Sequence, residues 1–276
     1  MLSMLGLGDN VVDCYLDEQI YYPGGNAVNV AVGCKRNGFD RVEYLGVFGC
    51  DEKARHIQWA LAQEGISYDY SRYVLAGSGS PGVRLDENGD RKFVGGPRDT
   101  AQHILSICLT QKDLEYISTF DLCHTSCYSN INHELPKLLG RCDVSYDFSD
   151  RRSPELLKLV CPYIRFAFFS GSGLSEEQLH SLIASVSDYG VEVVGITLGE
   201  SGAAFSIKGK MYYQGIHTAQ IVDTMGAGDS FISAFLTAYY QLKSPEVCLE
   251  LAAKSAAITC GYHGGFGYGK PFGETC

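Results

Sequence analysis

The five residues GAGDS, Gly226 to Ser230, run directly into an apolar stretch with helical spacing, FISAFLTAYYQL. Glycines at a helix start leave peptide N–H groups uncovered by side chains, and first-turn N–H groups have no acceptor within their own helix. The helix dipole adds about half a positive charge, so such a loop can bind phosphate oxygens. Asp229 stands beside that cradle, where a carboxylate could take a proton from an attacking hydroxyl. An anion cradle with a carboxylate next to it reads as a candidate functional site. A carboxylate in a first helical turn is also an ordinary capping residue, so the pattern alone leaves both readings open.

The elements that must position these residues are legible as alternation. Short apolar runs at 4–8, 42–47, 121–125, 144–148, 166–169 and 191–198 read as strands. Amphipathic stretches at 26–37, 52–64, 132–139, 154–160 and 176–189 read as helices between them. Strands that are nearly all apolar belong in a parallel sheet covered on both faces, which predicts an α/β doubly wound fold. Two stretches break the rhythm. Residues 11–22 mix polar and apolar residues at strand spacing, and residues 82–94 carry Asn88-Gly89, a hairpin turn signal that would bring Asp86 near Arg91. Together they predict a small, half-exposed sheet: a flap over a ligand, a decorative β-extension or an oligomer contact.

Two other glycine-rich stretches fit less well. GGFGYGKPFG near the end superficially resembles a phosphate loop, but Pro271 follows Lys270 where a helix would have to start, so a flexible terminus is expected. GLGDNV near the start lacks the third glycine of a dinucleotide fingerprint.

Composition narrows the function class. The net charge of −10, without any basic run, makes nucleic acid a poor partner. No apolar run is long enough to span a bilayer. The start of the chain has no signal-peptide pattern. The 11 scattered cysteines lack any Cys-x-x-Cys pair, so a reduced, cytoplasmic setting is expected. Cys123, Cys127, His124 and His133 cluster in sequence, but their spacing fits no standard zinc site, and buried thiols are the plainer reading.

Residues 223–233, DTMGAGDSFIS, resemble the C-terminal signature of the ribokinase-type, or phosphofructokinase-B, carbohydrate kinases, and residues 24–31, GGNAVNVA, resemble their N-terminal signature. Order, separation and chain length match as well. The variants GDNVVD, GGNAVNVA, DFSD and DTMGAGDSF are most similar to the fructoselysine 6-kinase branch. The resemblance implies one ribokinase-like domain over residues 1–276, with a β lid from about 11–22 and 79–95. It implies ATP-dependent transfer of the γ-phosphoryl to a primary hydroxyl of a sugar. Fructoselysine or a similar ketose derivative is the expected acceptor. Ribose, fructose or 2-keto-3-deoxygluconate remain alternatives, as does a non-catalytic sensor on the same fold. A hydrolase is remote, since no Gly-x-Ser-x-Gly elbow occurs.

Carried over residue by residue, the resemblance makes Asp229 the catalytic base and the N–H groups of Gly226, Ala227 and Gly228 the anion hole. Asp9, Asp13, Gly24, Gly25 and Asn29 would hold the sugar, with Arg84 and Arg91 reaching it from the lid. Thr197, Gly199 and Gly202 would lie along the nucleotide, and Arg151 would meet a phosphate. Two departures stand out. Ser149 occupies the place of an asparagine in Asp-x-Asn-x-Arg, and FFSGSGLSEEQ replaces the Asn-x-x-Glu pattern tied to magnesium. Glu176 or Glu177 could substitute, or could be ordinary first-turn residues. Mg2+ is expected with ATP, its protein contacts unassigned, and a monovalent cation beside the DTMGAGD loop is compatible with the family. Homodimerisation through the lid, with Val12, Cys14 and Leu16 on one apolar face, is a further expectation.

Overall fold

Every residue of the first strand, β1 (Ser3–Gly8), is buried, because helices cover both faces of the sheet it belongs to. In the computed structural model, which describes residues 1–86 and 91–272, the chain continues through β2 (Val11–Tyr15), β3 (Ile20–Gly24), α1 (Asn26–Asn37), β4 (Arg41–Phe48), α2 (Glu52–Gln63), β5 (Arg72–Tyr73), β6 (Gly82–Leu85) and β7 (Arg91–Phe93). Next come α3 (Ala101–Ile104), α4 (Gln111–Ile117), β8 (Leu122–Ser126), a 3-10 turn (Asn132–Leu138), β9 (Asp143–Asp147), α5 (Pro154–Val160) and β10 (Phe166–Ser170). The chain closes with α6 (Glu176–Ser187), β11 (Val193–Thr197), β12 (Ala203–Ile207), β13 (Lys210–Gln214), α7 (Ala227–Tyr240), α8 (Pro245–Thr259) and β14 (Lys270–Pro271).

The main sheet has the order β13-β12-β11-β10-β9-β8-β1-β4-β5. It is parallel from β5 to β11 and closes with the antiparallel hairpin β12–β13. Side chains alternate between two apolar layers. Met4, Val42, Phe166 and Val193 face α1, α2, α7 and α8, while Leu5, Leu7, Val144 and Val194 face α4, α5 and α6. The expected doubly wound architecture is what forms, and the six expected strands and five helical stretches fall where the pattern puts them, 132–139 as a 3-10 turn. The short β5 and α3, the β12–β13 hairpin, α4, α8 and β14 are additional.

Helix α7 shows why the GAGDS loop stays put. All eight residues from Phe231 to Ala238 are buried, as in a helix covered on all sides. Phe235 packs on Phe205 with ring centroids 4.9 Å apart and on Phe168 at 5.9 Å. Aromatic pairs of this kind add about 0.5–1.5 kcal/mol each beyond area burial. The helix therefore presents its N-terminus from a rigid base.

The second sheet is separate and smaller, with the order β14-β3-β2-β6-β7. Its hairpin sets Leu85 opposite Arg91. Asp86 pairs with Lys92 at 3.3 Å rather than with Arg91, and the Asn88-Gly89 turn lies outside the described residues. The tail is not the flexible terminus expected of it. The Gly264 N–H bonds Asp223, Phe266 is buried, the Tyr268 carbonyl meets His56 at 2.7 Å, and β14 pairs antiparallel with β3. Its glycines let the chain pass over neighbouring side chains, while Phe266 and Tyr268 supply the apolar anchors. Val12 and Cys14 are also already covered, packed against α2 within the same chain, so they do not form the free apolar face expected for a dimer.

Candidate active site

The order of the main sheet reverses at β1, which has β4 on one side and β8 on the other. In open α/β sheets ligands bind at the carboxyl ends of the strands at such a switch point. Here that place collects Asp9 after β1, Ser126 ending β8, Asp147 ending β9, and the N-terminus of α7.

Asp229 is half-buried and held by two amides from one face of α1. Asn26 Nδ2 donates to its Oδ1 at 2.7 Å and Asn29 Nδ2 to its Oδ2 at 2.6 Å. The two asparagines are three residues apart on a helix, which is the spacing that brings side chains to the same face. Asn26 Nδ2 also donates to Asp147 Oδ2 at 2.7 Å, so one amide group joins two carboxylates. Its Oδ1 lies 2.9 Å from Nε2 of the fully buried His124, whose Nδ1 lies 2.9 Å from Ser145 Oγ. With both ring nitrogens so engaged, His124 is not available as a metal ligand.

Electrostatics follow from crowding. Burial first, and then the Asp229 charge, push Asp147 up to about 7. Asp13, 4% exposed, is also pushed up to about 7, by burial first. Arg91 opposes that rise, while Asp229, Asp223 and Asp9 add to it. Asp229 itself is raised by burial against the lowering effects of the Asn29 hydrogen bond and Arg91. The site therefore concentrates acid groups whose ionised forms are stabilised by few neighbours.

The loop before α7 is tied down from three sides. Asp223, with no exposed surface, accepts the Tyr15 hydroxyl of β2, the Gly264 N–H at 2.8 Å and the Met225 N–H at 2.9 Å. Gly226 takes a left-handed φ of 72°, and a Cβ there would fall 2.5 Å from Gly265 Cα. Arg91 Nη1 donates to the Thr224 carbonyl at 2.8 Å. Ala227, Gly228 and Asp229 open α7, and the N–H groups of Gly228 and Asp229 have no acceptor one turn back within the helix.

The fold gathers some of the expected site residues and places the rest elsewhere. Asp229, Asn29, Asp13, Gly24, Gly226, Ala227, Gly228 and Arg91 come together, Gly24 passing against the Asp13 carboxylate. Asp9 does not present a free carboxylate to a sugar. Its oxygens accept from the Asn26 N–H at 2.6 Å, Ser126 Oγ at 2.9 Å and Ser129 Oγ at 2.7 Å, which makes it the cap of α1 beside Gly25. Arg84 turns to exposed Asp17 at 3.6 Å instead of inward. Arg151 lies over the Tyr128 ring and donates to the Cys127 carbonyl at 3.2 Å. Thr197 ends β11, Gly199 begins the turn after it, and Gly202 packs against Gln214. Ser149 holds a left-handed φ of 53° and donates its N–H to Asp147 Oδ1 at 2.8 Å. Glu176 and Glu177 occupy the first turn of α6 behind a Ser175–Gln178 capping box, and Glu177 lines a groove with Arg152 and Asp188.

The sequence profile of the pfkB family carbohydrate kinases matches residues 9–267. The chain belongs to that family. Among curated members, it is 45% identical over 271 residues to fructosamine kinase FrlD of Bacillus subtilis, covering 98% of this chain and 95% of that one. It is 29% identical over 266 residues to fructoselysine 6-kinase of Escherichia coli, covering 96% and 99%. Arabidopsis thaliana ribokinase, solved with ribose and ATP, superposes with a TM-score of 0.80 at 24% identity over 96% of this chain and 94% of that one. An E. coli ribokinase II structure holding ATP and Mg2+ also superposes at 0.80, with 18% identity over 96% and 95%. This pfkB-family chain is thus a sugar kinase close to the fructosamine and fructoselysine kinases. Among the described residues no helix is long and apolar enough to cross a membrane.

Asn26, His124, Asp147, Asp223 and Tyr15 were not assigned from sequence. The two asparagines of GGNAVN are a usable signal, since their spacing puts both amides on one helix face. His124 and Tyr15 carry no local signal, because their partners lie on other elements.

Proposed function

We propose that this kinase transfers the γ-phosphoryl of ATP to the 6-hydroxyl of a fructosamine such as fructoselysine, with Asp229 as general base. The observation that carries the mechanism is Asp229 clamped by Asn26 and Asn29 at the open N-terminus of α7. The 45% identity to a fructosamine kinase supports the acceptor class. A fructosamine carries an amine that is cationic at neutral pH. The three crowded carboxyl groups of Asp13, Asp147 and Asp229, which only Arg91 opposes, suit such an acceptor better than a neutral pentose.

In this reading the acceptor hydroxyl attacks the γ-phosphorus, its proton passes to the Asp229 carboxylate, and the bond to the β-phosphate oxygen breaks to release ADP. The two asparagine amides fix the carboxylate so that an oxygen lone pair faces the hydroxyl. The first-turn N–H groups of α7 stabilise charge on the transferred oxygens, which is the main task in phosphoryl transfer. Asp13 and Asn29 accept or donate to sugar hydroxyls, and Asn29 Oδ1 is a buried acceptor without a protein donor. The small sheet acts as a lid, joined to the catalytic loop by Arg91–Thr224 and Tyr15–Asp223, and its closure excludes water.

Mg2+ fits this donor set, since Asp147 and Asp229 share one amide and no cation offsets the burial of Asp147. Asp147 is the residue that would face the ion, which supplies charge neutralisation on the phosphate oxygens. Thr197, Gly199 and Arg151 remain the proposed nucleotide contacts. Ten free thiols among the described residues fit a reducing, cytoplasmic setting.

The test is acceptor-dependent ADP release with Mg-ATP across fructoselysine, other fructosamines, fructose, ribose and 2-keto-3-deoxygluconate. A kcat/KM for fructosamines at least about tenfold above the plain sugars is expected, equivalent to about 1.4 kcal/mol of discrimination. Equal or better turnover of ribose would overturn the acceptor assignment, and ATP binding without any turnover would point to a sensor.

A further inference from the structure

His124 lies on β8 with no exposed surface, and each ring nitrogen is 2.9 Å from a polar side-chain atom. Its neighbours determine where its proton sits. Asn26 Nδ2 faces two carboxylates, Asp147 and Asp229, so that end of the amide is the NH2 group and the other end is the carbonyl oxygen. An amide oxygen only accepts. His124 therefore carries its hydrogen on Nε2 and accepts the Ser145 hydroxyl at Nδ1. Burial pushes its pKa down to about 3, so it stays a neutral, one-sided donor across the working pH range.

We propose that His124 is a positioning residue for phosphoryl transfer: by donating from Nε2 to Asn26 Oδ1 it holds the Asn26 amide with Nδ2 toward Asp147 and Asp229. This rests on the reading of Asp229 as general base. Without the imidazole donor, Asn26 Oδ1 would be buried and unpaired, which favours rotation of the amide. A rotated amide would either turn its oxygen toward two carboxylates or withdraw from them. Asp229 would then keep only the Asn29 donor, and its carboxylate would be free to swing off the line to the acceptor hydroxyl. A histidine that merely filled the space beneath β8 and β9 would not need both nitrogens engaged in this order, and its effect would not depend on Asn26.

The experiment compares the kinetics of wild type, His124→Phe, His124→Asn, His124→Gln, Asn26→Ala and the His124→Phe/Asn26→Ala double variant, each checked by circular dichroism. Glutamine can place an N–H near the Nε2 position, whereas asparagine is too short to reach it. His124→Phe and His124→Asn should lose about ten- to a hundredfold in kcat, with the KM of acceptor and ATP within about twofold. His124→Gln should stay within about threefold of wild type, and His124→Phe should add less than about twofold in the Asn26→Ala background. Should the phenylalanine variant fail to fold, the Asn–Gln pair makes the same comparison. Equal damage in Gln and Asn, or an undiminished His124→Phe effect without Asn26, would overturn the proposal. Ring 15N shifts of His124 test it independently of turnover. An Nε2–H tautomer unchanged from about pH 5 to 8 is expected, and an Nδ1–H tautomer or a titrating ring would contradict it. Absence of turnover in wild type would count against the kinase reading alone, because the tautomer measurement still decides the orientation of Asn26.

Discussion

Arg91 Nη1 donates to the Thr224 carbonyl oxygen at 2.8 Å, which ties the edge strand of the small sheet to the loop that leads into α7. The same guanidinium lowers the pKa of Asp13 and Asp229 against the effect of burial. Arg91 thus both tethers the small sheet to the loop before α7 and favours the ionised form of Asp229, the base in the proposed mechanism.

Arg91→Ala should therefore do two things. The KM of the acceptor should rise about tenfold, and the acid limb of the kcat/KM profile should move to higher pH, because Asp229 loses a charge that favours its ionised form. Arg91→Lys should restore most of the limb position but not the KM, since an ammonium keeps the charge without the planar fork. A profile that stays in place in Arg91→Ala would show that Arg91 only tethers the loop.

The raised carboxylates carry a stability consequence with a definite sign. Asp13 and Asp147 titrate near 7 in the folded chain, against an ordinary value of 3.8. The native state therefore binds more protons than the unfolded state between those values, and stability falls as pH rises through about 4 to 7. Denaturant unfolding of the ligand-free protein should show that decline. Asp13→Asn should flatten it and raise stability at about pH 8 by up to about 4 kcal/mol, while weakening acceptor binding. A variant no more stable than wild type at that pH would contradict the assignment of Asp13 as a buried, strained acid.

The two glycines that flank Ala227 should respond differently. Gly226 is left-handed and pressed against Gly265, so Gly226→Ala should cost about 1–3 kcal/mol of stability along with activity. Gly228 lies inside the helix, and a Cβ there would point into open space. Gly228→Ala should leave stability unchanged or raise it by up to about 1 kcal/mol, while lowering kcat, because its methyl group lies over the proposed anion cradle. Thermal melts and steady-state kinetics on the pair separate the two roles.

The main sheet was readable because its strands are buried on both faces and so appear as unbroken apolar runs. The GAGD loop was readable because two glycines open a helix that is otherwise strongly apolar, although the acid beside them is by itself an ordinary first-turn residue. What stayed hidden depends on contacts between distant elements. Asp9 resembles a free carboxylate in sequence, yet Ser126 and Ser129 arrive from β8 and the loop after it to occupy it. The tail was misjudged because its glycines suggested freedom, whereas Phe266 and Tyr268 anchor it from positions that periodicity cannot detect. Arg84 and Arg91 lie on paired strands of one hairpin, and only the fold decides that Arg91 meets Thr224 while Arg84 meets Asp17.

The most direct test of the account is the kcat of Asp229→Asn in acceptor-dependent ADP release, measured beside the dissociation constants for ATP and acceptor. Asparagine keeps the size of the side chain but cannot take the proton. A loss of about 10²–10⁴ in kcat is expected, with both dissociation constants within about threefold of wild type. A folded Asp229→Asn protein that turns over within about threefold of wild type would contradict it.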